Sequence, residues 1–82
     1  MDREKLGRWL REATPEERQE LADAADISVG YLYQMAGGHR DNFRLRTAFR
    51  IAKKSYQMHI RKGSSLPYVT LDDLYAITNN KG

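Results

Sequence analysis

A helix start at Thr14 constrains the fold of this chain more than any other feature of its sequence. Thr14 supplies a capping hydroxyl, Pro15 occupies the first helical position, and Glu17 stands three residues after the cap. This combination satisfies backbone amides that the first turn of a helix otherwise leaves unpaired. It predicts a helix that runs to about Ala25 and ends at Asp26, a short polar residue that tolerates the left-handed conformation.

The segments on either side of this helix also have helical spacing. Apolar residues recur every three or four positions in the first 13 residues, which predicts a first helix with these residues inward: Leu6, Trp9, Leu10 and Ala13. After the turn, Ser28 is positioned to cap a short third helix that runs from Val29 to about Ala36 and stops at Gly37. The residues that face inward from it are Leu32 and Met35.

A fourth helix is expected after a cap at Asp41 or Asn42. Its apolar stripe consists of Leu45, Ala48, Ile51 and Ala52, with Phe49 beside it. Beyond this stripe two interpretations are open, because Tyr56 and Ile60 continue the helical spacing but also alternate with Met58 as in a strand. We favour the helix.

A loop over residues 63–67 and a last short helix that opens at Thr70 complete the chain. The expected fold is therefore all-α, a compact bundle of about five short helices. At 82 residues, with no repeat and no evident linker, the chain is expected to form a single domain over 1–82. Within it, residues 56–82 form a C-terminal extension.

The charges are distributed unevenly along the chain. Residues 1–27 hold five Lys or Arg against eight Asp or Glu, whereas residues 28–63 hold eight against one. A basic middle between acidic ends is typical of a surface that faces phosphate groups, because neutralised phosphates release counterions. An ordinary solvated helix face is the alternative explanation.

Several classes of protein are disfavoured by what the sequence lacks. Without cysteine there is no disulfide framework and no thiolate metal site, which fits a reducing compartment and makes the cytoplasm the expected location. No apolar run approaches the roughly 18 residues of a membrane span. The two histidines, His39 and His59, lack metal-ligand spacing, and no phosphate-binding loop follows a strand. We expect neither an enzyme nor a cofactor, a small-molecule ligand or a membrane partner.

The segment RQELADAADISVGYLYQMAGGHR combines two short helices, a tight turn and buried residues at fixed spacing. Counted from Arg18, Ala22 is the fifth position, Leu32 the fifteenth and Met35 the eighteenth. This pattern resembles the helix-turn-helix of the Cro and phage-repressor superfamily, over roughly residues 14–54. One departure is Asp26 at the ninth position, where that family usually has glycine. The resemblance implies a lambda-repressor-like fold that binds double-stranded DNA.

The resemblance also implies which residues read bases from the third helix. Val29 and Gly30 would lie at its front, with Tyr33 and Gln34 one turn later, all facing the major groove. Gln34 can pair with adenine, Val29 can touch a thymine methyl, and Tyr33 can contact phosphate or a base edge. The alternative for each is plain solvent exposure.

A second group of residues is expected to contact the DNA backbone or flanking bases. Arg44 and Arg46 are favoured for phosphate because they lie near the start of the basic fourth helix. Arg40 suits a phosphate or a base, whereas His39 is alternatively a simple loop residue. The complete group is Ser28, Gly38, His39, Arg40, Asn42, Arg44 and Arg46.

Dimerisation is expected, since one such module reads only a few base pairs and a two-fold dimer reads two half-sites. The residues assigned to the subunit contact are Tyr56, Ile60, Leu66, Tyr68 and Val69. Alternatively, they fold back over Trp9 to complete the core.

The expected function is that of a phage or bacterial Cro-like repressor that occludes a promoter as a homodimer on its operator. An antitoxin-type or other protein-interaction module on the same fold is the alternative, and a structural protein without a nucleic-acid role is a further one.

Overall fold

The computed structural model describes residues 3–38 and 43–78, and these residues form five α-helices and no strand. The helices are α1 (Arg3–Glu12), α2 (Pro15–Ala25), α3 (Val29–Ala36), α4 (Leu45–His59) and α5 (Leu71–Thr78). The predicted all-α class is confirmed. The preference for helix over strand at Tyr56 and Met58 is also confirmed, because both lie within α4.

The junction between α1 and α2 has the predicted cap. The Glu17 amide donates to the Thr14 hydroxyl at 3.1 Å, and the Thr14 amide donates to the Glu17 carboxylate at 2.7 Å. The Arg18 Nε also donates to the carbonyl of Leu10 at 2.8 Å, which ties the first turn of α2 to the last turns of α1. These bonds satisfy groups that helix ends leave without partners.

A three-residue turn joins α2 to α3. Asp26 adopts the predicted left-handed conformation, with φ 61° and ψ 43°, and its amide donates to the carbonyls of Ala22 and Asp23. Ile27 then donates to the same Ala22 carbonyl at 3.0 Å. The Ser28 hydroxyl accepts from the Tyr31 amide at 3.0 Å, so Ser28 caps α3 as predicted.

The core draws residues from all five helices. Trp9 is completely buried, and α1 packs against α3 and α5 while α2 packs against α4. Every apolar residue that the sequence placed inward in the first and third helices is buried. The buried apolar side chains of α1, α2, α3 and the α1–α2 junction are Leu6, Trp9, Leu10, Ala13, Leu21, Ala22, Ala25, Leu32 and Met35. No described helix combines the length and the apolar character that crossing a bilayer requires.

Two predictions for α4 were wrong. The helix begins at Leu45, later than predicted, and the residue at its cap position is Arg44, which forms no side-chain cap bond. The predicted caps, Asp41 and Asn42, lie outside the described residues. Leu45 was expected inward but is 61% exposed. The physical reason is the orientation of the helix: Ser55 and Met58 extend its buried face, which turns Leu45 away from the core.

The segment after α4 folds back onto the core, which corrects the predicted subunit contact. Leu66 and Val69 are buried within their own chain, so they are not accessible to a second subunit. Two bonds hold them: His59 Nδ1 donates to the Leu66 carbonyl at 2.7 Å, and Val69 donates to the Ser55 hydroxyl at 3.2 Å. For this pair the fold-back alternative holds. The remaining members of the predicted contact stay exposed: Tyr56, Ile60 and Tyr68.

Candidate nucleic-acid interface

The outer face of α3 is defined by what its inner face buries. Leu32 and Met35 are fully buried and fix the rotation of the helix about its axis. On the opposite side Gly30, Tyr33 and Gln34 are exposed, as helical spacing requires. Three of the four residues that the sequence assigned to base reading therefore share one surface, which we call the α3 outer face.

Val29, the fourth of these residues, has a different position. It is half-buried and packs against the core at the start of α3. Ser28, next to it, is exposed and has its hydroxyl engaged as the cap of the helix. The first turn of α3 is therefore held by both packing and capping before any partner arrives.

Gly30 leaves open space on this surface. A Cβ added there would meet only the Ser28 hydroxyl, at an ordinary contact distance of 3.8 Å. Packing within the described residues thus gives no reason for glycine at this position. The open space leaves room for another molecule close to the backbone of the helix.

The end of α3 is formed by two glycines. The Gly37 amide donates to the Tyr33 carbonyl at 2.9 Å, and Gly38 adopts a left-handed conformation with φ 83°. Gly38 is therefore where the backbone leaves the helix. The next predicted contact residues lie outside the described residues: His39, Arg40 and Asn42.

A cleft with three arginines lies between the α2–α3 turn and the start of α4. Its volume is about 340 Å³, and on the turn side it is lined by Asp26, Ile27 and Tyr31. The cations that line it are Arg44, Arg46 and Arg50, and each is exposed. We call this group the arginine cleft.

Arg50 also belongs to this group, although the sequence assigned only Arg44 and Arg46 to phosphate, because they lie nearer the start of the helix. Arg46 and Arg50 are four residues apart, which places them on the same side of a helix. That spacing was the available signal.

Two other cations of α4 and its C-terminal turn are already paired within the chain. Lys54 and Arg61 contact the Glu20 carboxylate at 3.0 and 2.7 Å. The hydrogen bond from Arg61, followed by that from Lys54, lowers the pKa of Glu20 to about 2. In contrast, none of the three arginines of the cleft forms an ion pair within the described part of the chain. Their charges are therefore available to a partner.

Neither a protein-family model nor a curated protein nor a solved structure matches this chain. Among the described residues, no group of three His, Asp or Glu side chains is arranged to hold a metal ion. What the described surface does bring together is the α3 outer face and a neighbouring set of unpaired arginines.

Proposed function

We propose that this protein is a sequence-specific regulator that binds double-stranded DNA through α3. One observation carries the proposal: a short helix held by two buried residues exposes Gly30, Tyr33 and Gln34 together, next to a cleft of three arginines. None of these arginines forms an ion pair among the described residues. A rigid helix with a polar outer face suits the major groove, and guanidinium groups beside it suit phosphates. In this proposal the α2–turn–α3 unit is a helix-turn-helix of the Cro and phage-repressor type.

Each residue of the α3 outer face has a separate role in the proposal. The Gln34 amide pairs with the N6 and N7 atoms of an adenine, and Tyr33 contacts a phosphate or a base edge. Gly30 lets the groove approach the backbone of the helix. Val29, being half-buried, offers only part of its surface to a thymine methyl. Ser28 acts through the start of the helix, where backbone amides and the helix dipole attract phosphate.

The arginine cleft provides the contacts that do not depend on base sequence. Arg44 and Arg46, as expected, and Arg50 in addition would neutralise phosphates of one strand. Arg40, His39, Asn42 and Gly38 retain their predicted role at the flank of the reading helix. Such contacts fix the position of the protein on the duplex and leave specificity to α3.

At the level of regulation, we propose a homodimer that represses transcription by occupying an operator over a promoter, in the cytoplasm of a bacterial cell or an infected host. A single module reads few base pairs, and a two-fold dimer doubles the site. A protein-interaction module is the second candidate, and one observation favours it: Phe49 and Tyr56 leave an apolar surface exposed on α4.

Selection from a library of random duplexes tests this proposal. The expected result is enrichment of one sequence, arranged as an inverted repeat, with half-sites about one helical turn apart. Arg44→Ala should weaken binding to all duplexes alike and lower the slope of log affinity against log salt by about 1. Arg11→Ala, an exposed arginine on α1, is the matched control. Equal weak binding to every duplex would contradict the proposal and favour the protein-interaction module.

A further inference from the structure

Most of the large hydrophobic side chains that are exposed in the described residues lie on one side of α4. Five of the six large hydrophobic side chains that are exposed in the described residues lie there or on the neighbouring loop: Leu45, Phe49, Tyr56, Ile60 and Tyr68. The spacing of Leu45, Phe49 and Tyr56 along α4 places them on one face, distinct from the face buried in the core. Large apolar patches of this kind mark interaction sites.

A groove of about 650 Å³ runs along this face, between α4 and the segment that leads into α5. We call it the α4 groove. Phe49 and Tyr56 stand on its α4 wall, and Tyr68 and Leu71 on the opposite wall. The rings of Tyr56 and Tyr68 meet edge to face across it, with centroids 5.1 Å apart. The walls are therefore aromatic and apolar on both sides.

The two walls carry opposite charges. Lys53 lines the α4 wall and Asp72 the α5 wall, and both are exposed. Neither forms an ion pair within the described part of the chain, whereas the adjacent Asp73 is bound to Lys5 at 3.6 Å. A groove with apolar walls and one unpaired charge of each sign is complementary to itself.

We infer that the α4 groove binds a second copy of this chain. A two-fold axis along the groove sets the α4 wall of each copy against the opposite wall of the other. Each Lys53 then faces Asp72 of the second copy, and the aromatic side chains pack between these pairs. A two-fold contact repeats every pairing, so one complementary pair of walls supplies two.

The exposed area fits a subunit contact of modest size. Phe49, Tyr56 and Tyr68 are 54, 46 and 37% exposed. With about 200 Å² for each whole aromatic side chain, they offer roughly 300 Å² together. A standard contact buries about 800 Å² on each partner, so Leu45, Ile60 and the polar rim must contribute as well. The expected dimer is consequently one that dissociates on dilution.

The groove shares no lining residue with the arginine cleft or with the α3 outer face. A dimer formed here leaves both surfaces open to DNA. The inference deepens the dimeric part of the proposed function, but the contact itself does not depend on DNA binding. It also replaces the buried Leu66 and Val69 with Leu45 and Phe49 in the subunit contact.

Charge exchange across the groove tests this inference. Sedimentation velocity without DNA measures self-association of the wild type, Lys53→Glu and Asp72→Lys, and circular dichroism verifies that each variant folds. Each single variant brings like charges together, so we expect at least tenfold weaker self-association. Mixing equal amounts of the two variants should restore dimers, because the mixed pair has opposite charges at both contacts.

Two matched controls accompany the measurement. Lys62→Glu and Glu16→Lys change exposed charges outside the groove and should leave self-association unchanged. A monomeric wild type, or a dimer that neither groove variant weakens, would overturn the inference. So would a mixture of Lys53→Glu and Asp72→Lys that stays as dissociated as its components. Sequence-specific binding of a monomer to a half-site would show that the DNA proposal survives such a failure.

Discussion

Asp26 holds the turn between α2 and α3 in the left-handed conformation, with φ 61°. A Cβ is unfavourable there, and aspartate tolerates it better than most residues because its side chain is short and polar. We expect Asp26→Gly to raise the free energy of unfolding by a few tenths to about 1 kcal/mol, and Asp26→Ala to lower it by a similar amount. Urea unfolding of the three proteins measures the order, and alanine above aspartate would contradict the explanation.

The ion pairs of Glu20 should make the stability of the fold depend on pH. Its pKa is lowered to about 2 by Arg61 and Lys54, so its ion pairs stabilise the fold above the ordinary value of 4.5 and are lost as the pH falls toward 2. Because the Glu20 side chain is one-third exposed, we expect Glu20→Gln to cost only about 1 kcal/mol near neutral pH. The difference from wild type should shrink between pH 4.5 and 2.

Urea unfolding of both proteins across this pH range measures the difference. A constant difference between wild type and Glu20→Gln at every pH would mean that the ion pairs contribute nothing to stability. The comparison of the two proteins removes the titration of all other carboxylates, which is common to both.

The sequence predicts the contacts and conformations that depend on residues close together along the chain. The bonds of Thr14 with Glu17, the cap at Ser28 and the conformation of Asp26 each involve residues a few positions apart. The pairing of Glu20 with Arg61 joins residues 41 positions apart, and no local pattern indicates it. Such a contact follows only from the packing of α2 against α4.

The α4 helix shows that apolar spacing alone does not identify which face of a helix is buried. Its sequence contains two apolar stripes that share Ala52. The stripe that includes Leu45, Phe49 and Tyr56 is exposed, whereas the stripe that continues through Ser55 and Met58 is buried in the core. Ser55 is polar, so a search for apolar residues passes over it. The serine is buried because its hydroxyl bonds with the Val69 backbone, a contact 14 positions away. The wrong assignment of Leu45 to the core has this cause.

Ser55 attaches the segment before α5 to α4 through hydrogen bonds with the Val69 backbone. Ser55→Ala removes the acceptor of the buried Val69 amide, which then lacks the hydrogen bond it makes at 3.2 Å. We expect a loss of about 1–3 kcal/mol in the free energy of unfolding. The exposed Ser65→Ala should change it by less than about 0.5 kcal/mol. Equal effects of the two substitutions would show that the Ser55 bond is not important.

For the whole molecule, the sequence predicts the five helices and the exposure of Gly30, Tyr33 and Gln34 on α3. It could not predict that Leu66 and Val69 are buried, because apolar residues after the last long helix serve equally in a core or in a contact. Nor could it select among the cations of α4, since only the assembled fold shows which ones Glu20 binds. The proposed separation of surfaces, DNA on α3 and a second copy on α4, depends on those two facts.

Base reading by the α3 outer face is tested by the base specificity of Gln34→Ala. Fluorescence anisotropy compares this variant with wild type on the selected duplex and on duplexes with single base-pair changes. Arg11→Ala, an exposed residue of α1 that lines neither the α4 groove nor the arginine cleft, is the control. We expect Gln34→Ala to lose about 1–3 kcal/mol of discrimination at one A·T pair and to keep it elsewhere. Unchanged discrimination at every base pair would contradict the claim.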